Sequence, residues 1–234
     1  MTAFPADFAS AIRSAKNPYP VIRGDANRLR WFPRLIRPDI RATALQLLET
    51  HLTPHLRLAR RPVDPGLIAN MTQNYTEALP KSLRNHTAML NDPRSAAYKT
   101  AKAIGLIAFL TSPSLKDFAE RVSGFPLEQS PGLQVICYHP GDYVGPHNDH
   151  HPEEPHLRDG YVDFQITLTN DDVAHQSLLY EKGGLFNEVV DIAIPSGVSV
   201  SHLPFWHQVT PLQARRGRKA TARRWLLLAS FVRR

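Results

Sequence analysis

Cysteine and long apolar runs are almost absent from this chain. Cys137 is the single cysteine among 234 residues, so an intrachain disulfide is excluded. No apolar stretch approaches the roughly 18 residues that a membrane-spanning helix needs. The first residues lack the charged-then-apolar layout of a secretory signal. These absences predict a cytoplasmic protein with no membrane partner, in a compartment where thiols stay reduced.

Two common sequence signatures of catalysis are also missing. The chain has no glycine-rich phosphate-binding loop and no serine nucleophile elbow. Cys137 alternates with Tyr138 in an apolar run and has no histidine partner within a local family signature, which indicates a core residue. The sequence therefore favours neither nucleotide-phosphate binding nor a serine or cysteine nucleophile.

The chain is basic, with a formal net charge of +7 at pH 7. Basic proteins often bind nucleic acid or other polyanions. Here the arginines are spread along the chain, apart from one dense cluster at residues 215–224, and such a cluster is usually a solvated loop. No pattern of aromatic and basic residues around a base-flipping pocket is present. We therefore do not predict a nucleic-acid partner, although the charge leaves one open.

The first half of the chain shows helical patterns. Apolar residues recur at near-helical spacing in residues 39–52, which predicts a helix there. Asp92 and Ser112 each precede a proline, which is typical of a capping residue at the start of a helix. We therefore predict further helices at residues 92–110 and 112–124.

Short β-type runs separated by turn residues follow Gly124. The predicted strands are residues 133–138, 161–169, 177–180, 188–194, 198–202 and 225–232. Several short strands at this spacing are typical of a β-sandwich or barrel, of which the jelly roll is a double-sheet form. We predict an α+β fold, with a double-stranded β-helix (jelly-roll, cupin-like) core at residues 126–234. Residues 1–125 would form a mainly helical region packed on one sheet, and the whole would be one compact domain.

Three residues of the second half combine as metal ligands. His147 and Asp149 are separated by one residue, so on an extended strand both side chains would point to the same face. His207 would add a second imidazole from another strand, near the other end of the barrel. Two histidines and one carboxylate that leave coordination positions open are typical of non-haem iron(II) oxygenases.

Each of these residues also has an ordinary structural explanation. The chain has 11 histidines, so a chance His-x-Asp is not rare, and a lone histidine is more often structural. His202 rivals His207, but only His207 is followed by x-Val-x-Pro. The ordered string from Tyr138 to Asp149, with His207 after it, favours the metal site.

The segment that ends at the predicted ligands contains the pattern L-Q-V-x-x-Y-x-x-G-x-x-x-x-x-H-x-D. Its residues are Leu133, Gln134, Val135, Tyr138, Gly141, His147 and Asp149. With this pattern the chain resembles the iron(II)/2-oxoglutarate-dependent dioxygenase superfamily, in particular its prolyl-4-hydroxylase-like branch. The resemblance covers roughly residues 112–234, whereas residues 1–90 match no family that we can name.

The resemblance implies that the three predicted ligands bind iron(II) and that Tyr138 hydrogen-bonds the distal carboxylate of 2-oxoglutarate. A basic residue at the start of the last strand would form an ion pair with that carboxylate. We assign this anchor to Arg224, because it keeps the family's distance to the aromatic residue at the end of the strand. It lies farther from the second histidine than in the family, so Arg223 and Lys219 stay candidates. An arginine suits the role because it can donate two parallel hydrogen bonds to a carboxylate.

The implied reaction is hydroxylation of an unactivated C–H bond in an amino-acid, peptidyl or small natural-product substrate. It would consume dioxygen and 2-oxoglutarate and release succinate and CO2, with ascorbate as a candidate reductant. The alternatives are a nucleic-acid oxidative demethylase of the same superfamily and a non-catalytic sensor of 2-oxoglutarate or metal. A structural zinc module would need a fourth ligand, such as His150, His151 or His202.

The insertion HHPEEPH at residues 150–156 follows the predicted ligand pair directly. We predict a polar loop over the mouth of the site, because loops near pockets often act as lids. Glu153 and Glu154 would then be available to a cationic substrate, and a second metal site is the alternative. The identity of the substrate and the oligomeric state are left open.

Overall fold

The computed structural model describes residues 3–13, 28–63, 66, 81–149, 153–154 and 160–234. Its helices are α1 (Pro38–Leu47), α2 (Ala96–Ala103), α3 (Leu106–Leu110) and α4 (Pro113–Ser123). A π-helical turn, Leu48–Leu52, and a 3-10 turn, Thr53–His55, continue α1. None of the helices in these ranges has both the length and the apolar character needed to cross a membrane.

Local sequence explains where these helices begin and end. Prolines occupy the first turns of α1 and α4, and the Ser95 hydroxyl caps α2 by accepting a hydrogen bond from a backbone N–H. Gly124 ends α4 with a positive φ of 78°. The helix predicted at residues 92–110 is two helices, because Gly105 has a φ of 83° and interrupts the α-helical hydrogen bonding.

The strands of the described residues lie mostly in the second half of the chain. They are β1 (Leu29–Phe32), β2 (Arg57–Arg61), β3 (Leu83–Met89), β4 (Leu127–Tyr138), β5 (Tyr143–His147), β6 (Tyr161–Thr169), β7 (Val173–His175), β8 (Ser177–Lys182), β9 (Leu185–Asp191), β10 (Gly197–Leu203), β11 (His207–Val209), β12 (Gln213–Ala214) and β13 (Arg224–Arg233). All six predicted strands are found, as β4, β6, β8, β9, β10 and β13.

One continuous antiparallel sheet contains most of these strands. Its order is β1-β10-β6-β13-β4-β3-β5-β11-β8-β9, with β2 paired to β3, while β7 and β12 form a separate pair. The sheet curls so that β6, β10 and β13 face β5, β8, β9 and β11 across an internal cavity. This nearly closed double sheet confirms the predicted jelly-roll fold class.

Strands β1, β2 and β3 come from the N-terminal region and were not predicted. The sequence of β2 is RLARR and nearly all of it is exposed, so it lacks the alternation of polar and apolar residues that marks a strand. The sheet thus includes strands from both predicted regions, 1–125 and 126–234. The boundary between those regions stays a prediction.

Strand β13 shows how the sheet separates its core from its cavity. The residues facing the helices are Trp225, Leu227, Ala229 and Phe231, which belong to the main hydrophobic core. The residues facing the cavity are Arg224, Leu226 and Leu228. The helices pack on the outer face as predicted, with the rings of Phe8 and Phe118 edge-on to Phe164. Cys137 is buried in the same core, where burial raises the pKa of its thiol well above the ordinary range.

Candidate metal centre

His147 and His207 are direct cross-strand neighbours, at the end of β5 and the start of β11. Their ring centroids are 4.1 Å apart. Asp149 Oδ2 lies 3.3 Å from His147 Nε2 and 3.7 Å from His207 Nε2. The ligand atoms of the three side chains all lie within 4.8 Å of one another, so a single metal ion can contact all three.

The backbone route to this cluster differs from the prediction in two respects. Strand β5 ends at His147, and Asp149 has a positive φ of 51°, so a turn rather than an extended strand brings its carboxylate to the imidazoles. Aspartate is one of the few residues that enter this left-handed region readily. His207 does not come from the other end of the barrel, because β11 pairs with β5 itself.

Backbone carbonyl groups orient both imidazoles. His147 Nδ1 lies 2.8 Å from the carbonyl oxygen of Gly145, and His207 Nδ1 lies 2.9 Å from that of Phe205. A carbonyl oxygen only accepts, so each Nδ1 carries the proton in this arrangement. Each Nε2 then faces the cluster and is the atom whose lone pair a metal bound there would take.

The charge states of these residues also suit a metal. Burial, together with the charge of His147, lowers the pKa of His207 to about 4, so its imidazole is neutral at pH 7. Burial opposes ionisation of Asp149, but the hydrogen bond and charge of His147, followed by the charge of Lys81, hold the pKa of Asp149 well below its usual value. Lys81 Nζ lies 2.5 Å from Asp149 Oδ1. Two imidazoles and one carboxylate form a donor set that fits iron(II).

An internal cavity of about 90 Å³ extends from this cluster. Arg224 and Tyr138 line it, with only 3% and 2% of their surfaces exposed. The Arg224 guanidinium donates to Gln176 Oε1 and to Thr167 Oγ1, both at 3.2 Å, and its central carbon lies 4.9 Å from the centre of the Tyr138 ring. Burial lowers the pKa of Arg224, and Tyr138 opposes that shift.

Within the described ranges no carboxylate forms an ion pair with Arg224, and its Nε has no hydrogen-bond partner. A buried cation that lacks a counter-ion costs free energy, so this end of the cavity favours an anionic ligand. The rival anchors lie elsewhere. Arg223 donates to the backbone carbonyls of Ala222 and Ala220, and Lys219 is exposed. Neither Arg223 nor Lys219 lines the cavity.

The other predicted ligands do not join this cluster. His202 is half-buried beside Phe125 on β10, and it belongs to neither of the two metal-type clusters that the described residues form. His150 and His151 lie outside the described residues, as does most of the predicted lid at residues 150–156. Glu153 and Glu154 are described and exposed.

The second cluster of metal-type residues was not predicted. It consists of His86, His139 and Asp142. The two imidazole rings stack at 4.0 Å, and the fully buried Asp142 carboxylate lies 3.1 Å from His86 Nδ1 and 3.1 Å from Arg84 Nε. Its Oδ2 also accepts a hydrogen bond of 2.9 Å from the backbone N–H of His139.

Sequence reasoning also missed the polar residues that line the cavity from β6. These are Asp163, Gln165 and Thr167, which alternate with the core residues Val162, Phe164, Ile166 and Leu168. The alternation is visible in the sequence, but a polar face of a strand usually meets solvent. Here that face meets the cavity.

No family model and no curated protein matches the chain. Solved structures share its fold. The non-haem α-ketoglutarate-dependent carbocyclase SnoK from nogalamycin biosynthesis is 11% identical with a TM-score of 0.55, over 88% of this chain and 80% of that one. OsALKBH1 is 12% identical with a TM-score of 0.50, over 90% of this chain and 100% of that one. EvdMO1 is 14% identical with a TM-score of 0.50, over 88% of this chain and 47% of that one.

Such low identities establish a common fold and nothing finer. The agreement nevertheless extends over 88–90% of the chain, and therefore over part of the N-terminal region that resembled no family by sequence. The chain shares its fold with a non-haem α-ketoglutarate-dependent carbocyclase, as its sequence predicted, and the clustered His147, Asp149 and His207 are a donor set that fits iron(II).

Proposed function

We propose that this chain is an iron(II)- and 2-oxoglutarate-dependent oxygenase that hydroxylates an unactivated C–H bond of an amino-acid, peptidyl or small natural-product substrate. One observation carries the proposal. A donor set for iron(II) and a buried arginine line the same cavity, and among the described residues that arginine has no counter-ion; the surrounding jelly roll is shared with a non-haem α-ketoglutarate-dependent carbocyclase. A metal ion would match the His147, Asp149 and His207 end of that cavity, and one carboxylate of a dicarboxylate would match the Arg224 end.

His147, Asp149 and His207 would hold the iron, which when bound supplies the one-electron and dioxygen chemistry that amino-acid side chains lack. The protein's own task at this end is orientation. The carbonyls of Gly145 and Phe205 fix both imidazole rings by accepting hydrogen bonds from their Nδ1–H groups. Three ligands on one side leave the side toward the cavity open to cosubstrate.

Arg224 would hold the distal carboxylate of 2-oxoglutarate. The Arg224 guanidinium is oriented before the ligand binds. Gln176 and Thr167 accept hydrogen bonds from two of its N–H groups, and the Tyr138 ring lies against the guanidinium. A charge-assisted hydrogen bond from a preorganised donor is stronger than one between neutral groups. Arg224 and Tyr138 would therefore set both the affinity and the tilt of the cosubstrate.

Part of the cavity wall is apolar. Leu178, Ile192, Val209 and Leu226 line it alongside the charged residues. Apolar walls exclude water, and electrostatic interactions with the cosubstrate are stronger in a site from which water is excluded.

The experiment that tests this proposal is an anaerobic visible absorption titration. Iron(II) and then 2-oxoglutarate are added to the metal-free protein, with His207→Ala as the ligand variant and Gln208→Ala as its neighbour control. We expect a metal-to-ligand charge-transfer band in the wild type and in Gln208→Ala only. A folded wild-type protein that gives no band contradicts the proposal. If the band is present, succinate release on addition of a substrate would exclude the non-catalytic sensor alternative.

Nucleic-acid demethylation is the second candidate, because the chain carries a net charge of +7 and OsALKBH1 shares its fold. Contacts to phosphates make affinity fall steeply as the salt concentration rises. Tight DNA or RNA binding that falls steeply between two ionic strengths would support this candidate, and its absence would favour a small-molecule or peptidyl substrate.

A further inference from the structure

The cavity holds a second buried charge, opposite in sign to Arg224. Asp163 lies on the inner face of β6, is 5% exposed and lines the cavity together with the metal-type cluster. Thr167, which holds the Arg224 guanidinium, lies on the same face of the same strand. At roughly 3.3 Å per residue the two positions are about 13 Å apart along β6. Strand β6 thus contacts the Arg224 guanidinium toward one end and carries the Asp163 carboxylate toward the other.

Within the described part of the chain, Asp163 has hydrogen-bond donors but no cation. The Ser230 hydroxyl donates to Asp163 Oδ1 at 2.6 Å, and the Gln165 side chain also hydrogen-bonds to it. Lys81 lies nearby, but its Nζ pairs with Asp149 instead. An ionised carboxylate offers about four acceptor positions, so two donors leave some of them for a ligand in the cavity.

The electrostatic state of Asp163 reflects this incomplete pairing. Burial raises its pKa to about 7, the hydrogen bond from Ser230 opposes the shift, and the charge of Asp149 adds to it. A buried carboxylate without a cation costs free energy. A ligand that brings a positive charge would remove much of that cost, so the site favours cations.

The surroundings of Asp163 agree with a cationic ligand. The indole of Trp31 lines the same cavity, and the face of an indole attracts cations. Burial raises the pKa of Tyr161, on the same strand, and the negative charges of Asp163, Asp149 and Glu154 raise it further. The cavity therefore combines negative charge with an aromatic side chain.

We propose that Asp163 recognises the substrate, and that the substrate carries an ammonium group, from a primary or secondary amine, which binds between the Asp163 carboxylate and Trp31. The inference rests on the proposed function, because it assigns this part of the cavity to the substrate. Asp163 has a second consequence for specificity. A dicarboxylate cosubstrate is repelled from it, so 2-oxoglutarate is directed toward Arg224.

The test is a thermal-unfolding assay with matched amines. Cadaverine, L-lysine methyl ester and piperidine are each compared with their N-acetylated counterparts, using wild type, Asp163→Asn and the exposed control Asp117→Asn. At about ten times its Kd, a bound amine should raise the Tm of wild type and of Asp117→Asn by roughly 3–6 °C. Its acetylated counterpart should not, and Asp163→Asn should lose the shift.

Two results would overturn the inference. One is that no amine stabilises the wild type more than its acetylated counterpart does, a comparison that needs no variant to fold. The other is an equal shift in folded Asp163→Asn. The assay requires neither iron nor turnover, so its failure is separate from that of the charge-transfer titration. A charge-transfer band without amine stabilisation would leave the oxygenase proposal standing and remove the ammonium substrate.

Discussion

Two clusters of identical composition stand on neighbouring strands, and only one is built to take a metal. His147, His207 and Asp149 form the first, and His86, His139 and Asp142 form the second. In the first cluster each Nδ1 donates to a backbone carbonyl, so both Nε2 atoms face the carboxylate and are available to a metal. In the second cluster the carboxylate itself faces His86 Nδ1, the Arg84 guanidinium and a backbone N–H.

The difference shows that residue types and proximity do not make a metal site. A carboxylate that neutralises an arginine and accepts several hydrogen bonds has little to gain from an ion, which would have to displace those partners. The second cluster has a mechanical role instead. The backbone carbonyl of Asp142 accepts from Gln176 at 3.3 Å, and Gln176 in turn accepts from Arg224. Through Gln176 the second cluster supports Arg224 at the far end of the cavity.

The largest effect should come from removing a ligand of the first cluster. Asp149→Ala should abolish both the iron–2-oxoglutarate charge-transfer band and succinate release, because the donor set loses its only carboxylate. His86→Ala is the matched change in the second cluster and should keep the band. A band in folded Asp149→Ala, or its loss in folded His86→Ala, would reverse the roles of the two clusters.

Arg224→Met should have the next largest effect, which is a weaker affinity for 2-oxoglutarate. Losing the charged partner of a buried carboxylate costs about 2–5 kcal/mol, so half-saturation by 2-oxoglutarate should need at least 30-fold more of it. The protein should stay folded, because methionine replaces a buried unpaired charge by an apolar side chain of similar length. Arg223→Met is the control and should leave the 2-oxoglutarate titration unchanged. If Arg223→Met gave the larger shift, the anchor would be reassigned.

Asp142→Asn should separate stability from metal binding. It removes the charge that Arg84 and His86 contact, and since Arg84 is about half exposed we expect a loss of only about 1–2 kcal/mol in the free energy of unfolding. Chemical denaturation measures this loss, and the charge-transfer band should persist. A folded Asp142→Asn without the band would mean that the second cluster is needed for the metal.

His202→Ala should have the smallest effect. If the first cluster binds iron through three protein ligands, removing a histidine outside it leaves metal content and the charge-transfer band unchanged. A closed structural zinc site with His202 as its fourth ligand would lose its zinc instead. Metal analysis of the purified variant therefore decides between the open and the closed site.

Much of the fold could be predicted because its strands alternate cleanly. Strand β6 was predicted at its observed bounds, since its apolar residues Val162, Phe164, Ile166 and Leu168 alternate with polar ones. Strand β2 was not predicted, because an exposed edge strand of arginines has no apolar face and forms only through its pairing with β3. Pairing of this kind depends on a distant partner and leaves no local pattern.

The site was predictable in its ligands but not in its geometry. The motif identified His147, Asp149 and His207, yet the left-handed turn at Asp149 and the direct pairing of the two histidines follow from the register of β5 with β11. Asp163 had no readable signal, because a carboxylate on a strand normally faces water. Its role depends on the closure of the sheet around it, which is a property of the whole barrel.

The pairing of β5 with β11 joins the two histidines across a short and irregular ladder. It connects His147 to His207 and Val144 to Val209, with a shift of register between them. An ion held by both imidazoles would act as a cross-link between these strands. Removing iron would then remove this cross-link as well as the reactive metal. Its loss would weaken the pairing of β5 with β11, so amide hydrogens of β11 should exchange faster in the metal-free protein than in the loaded one.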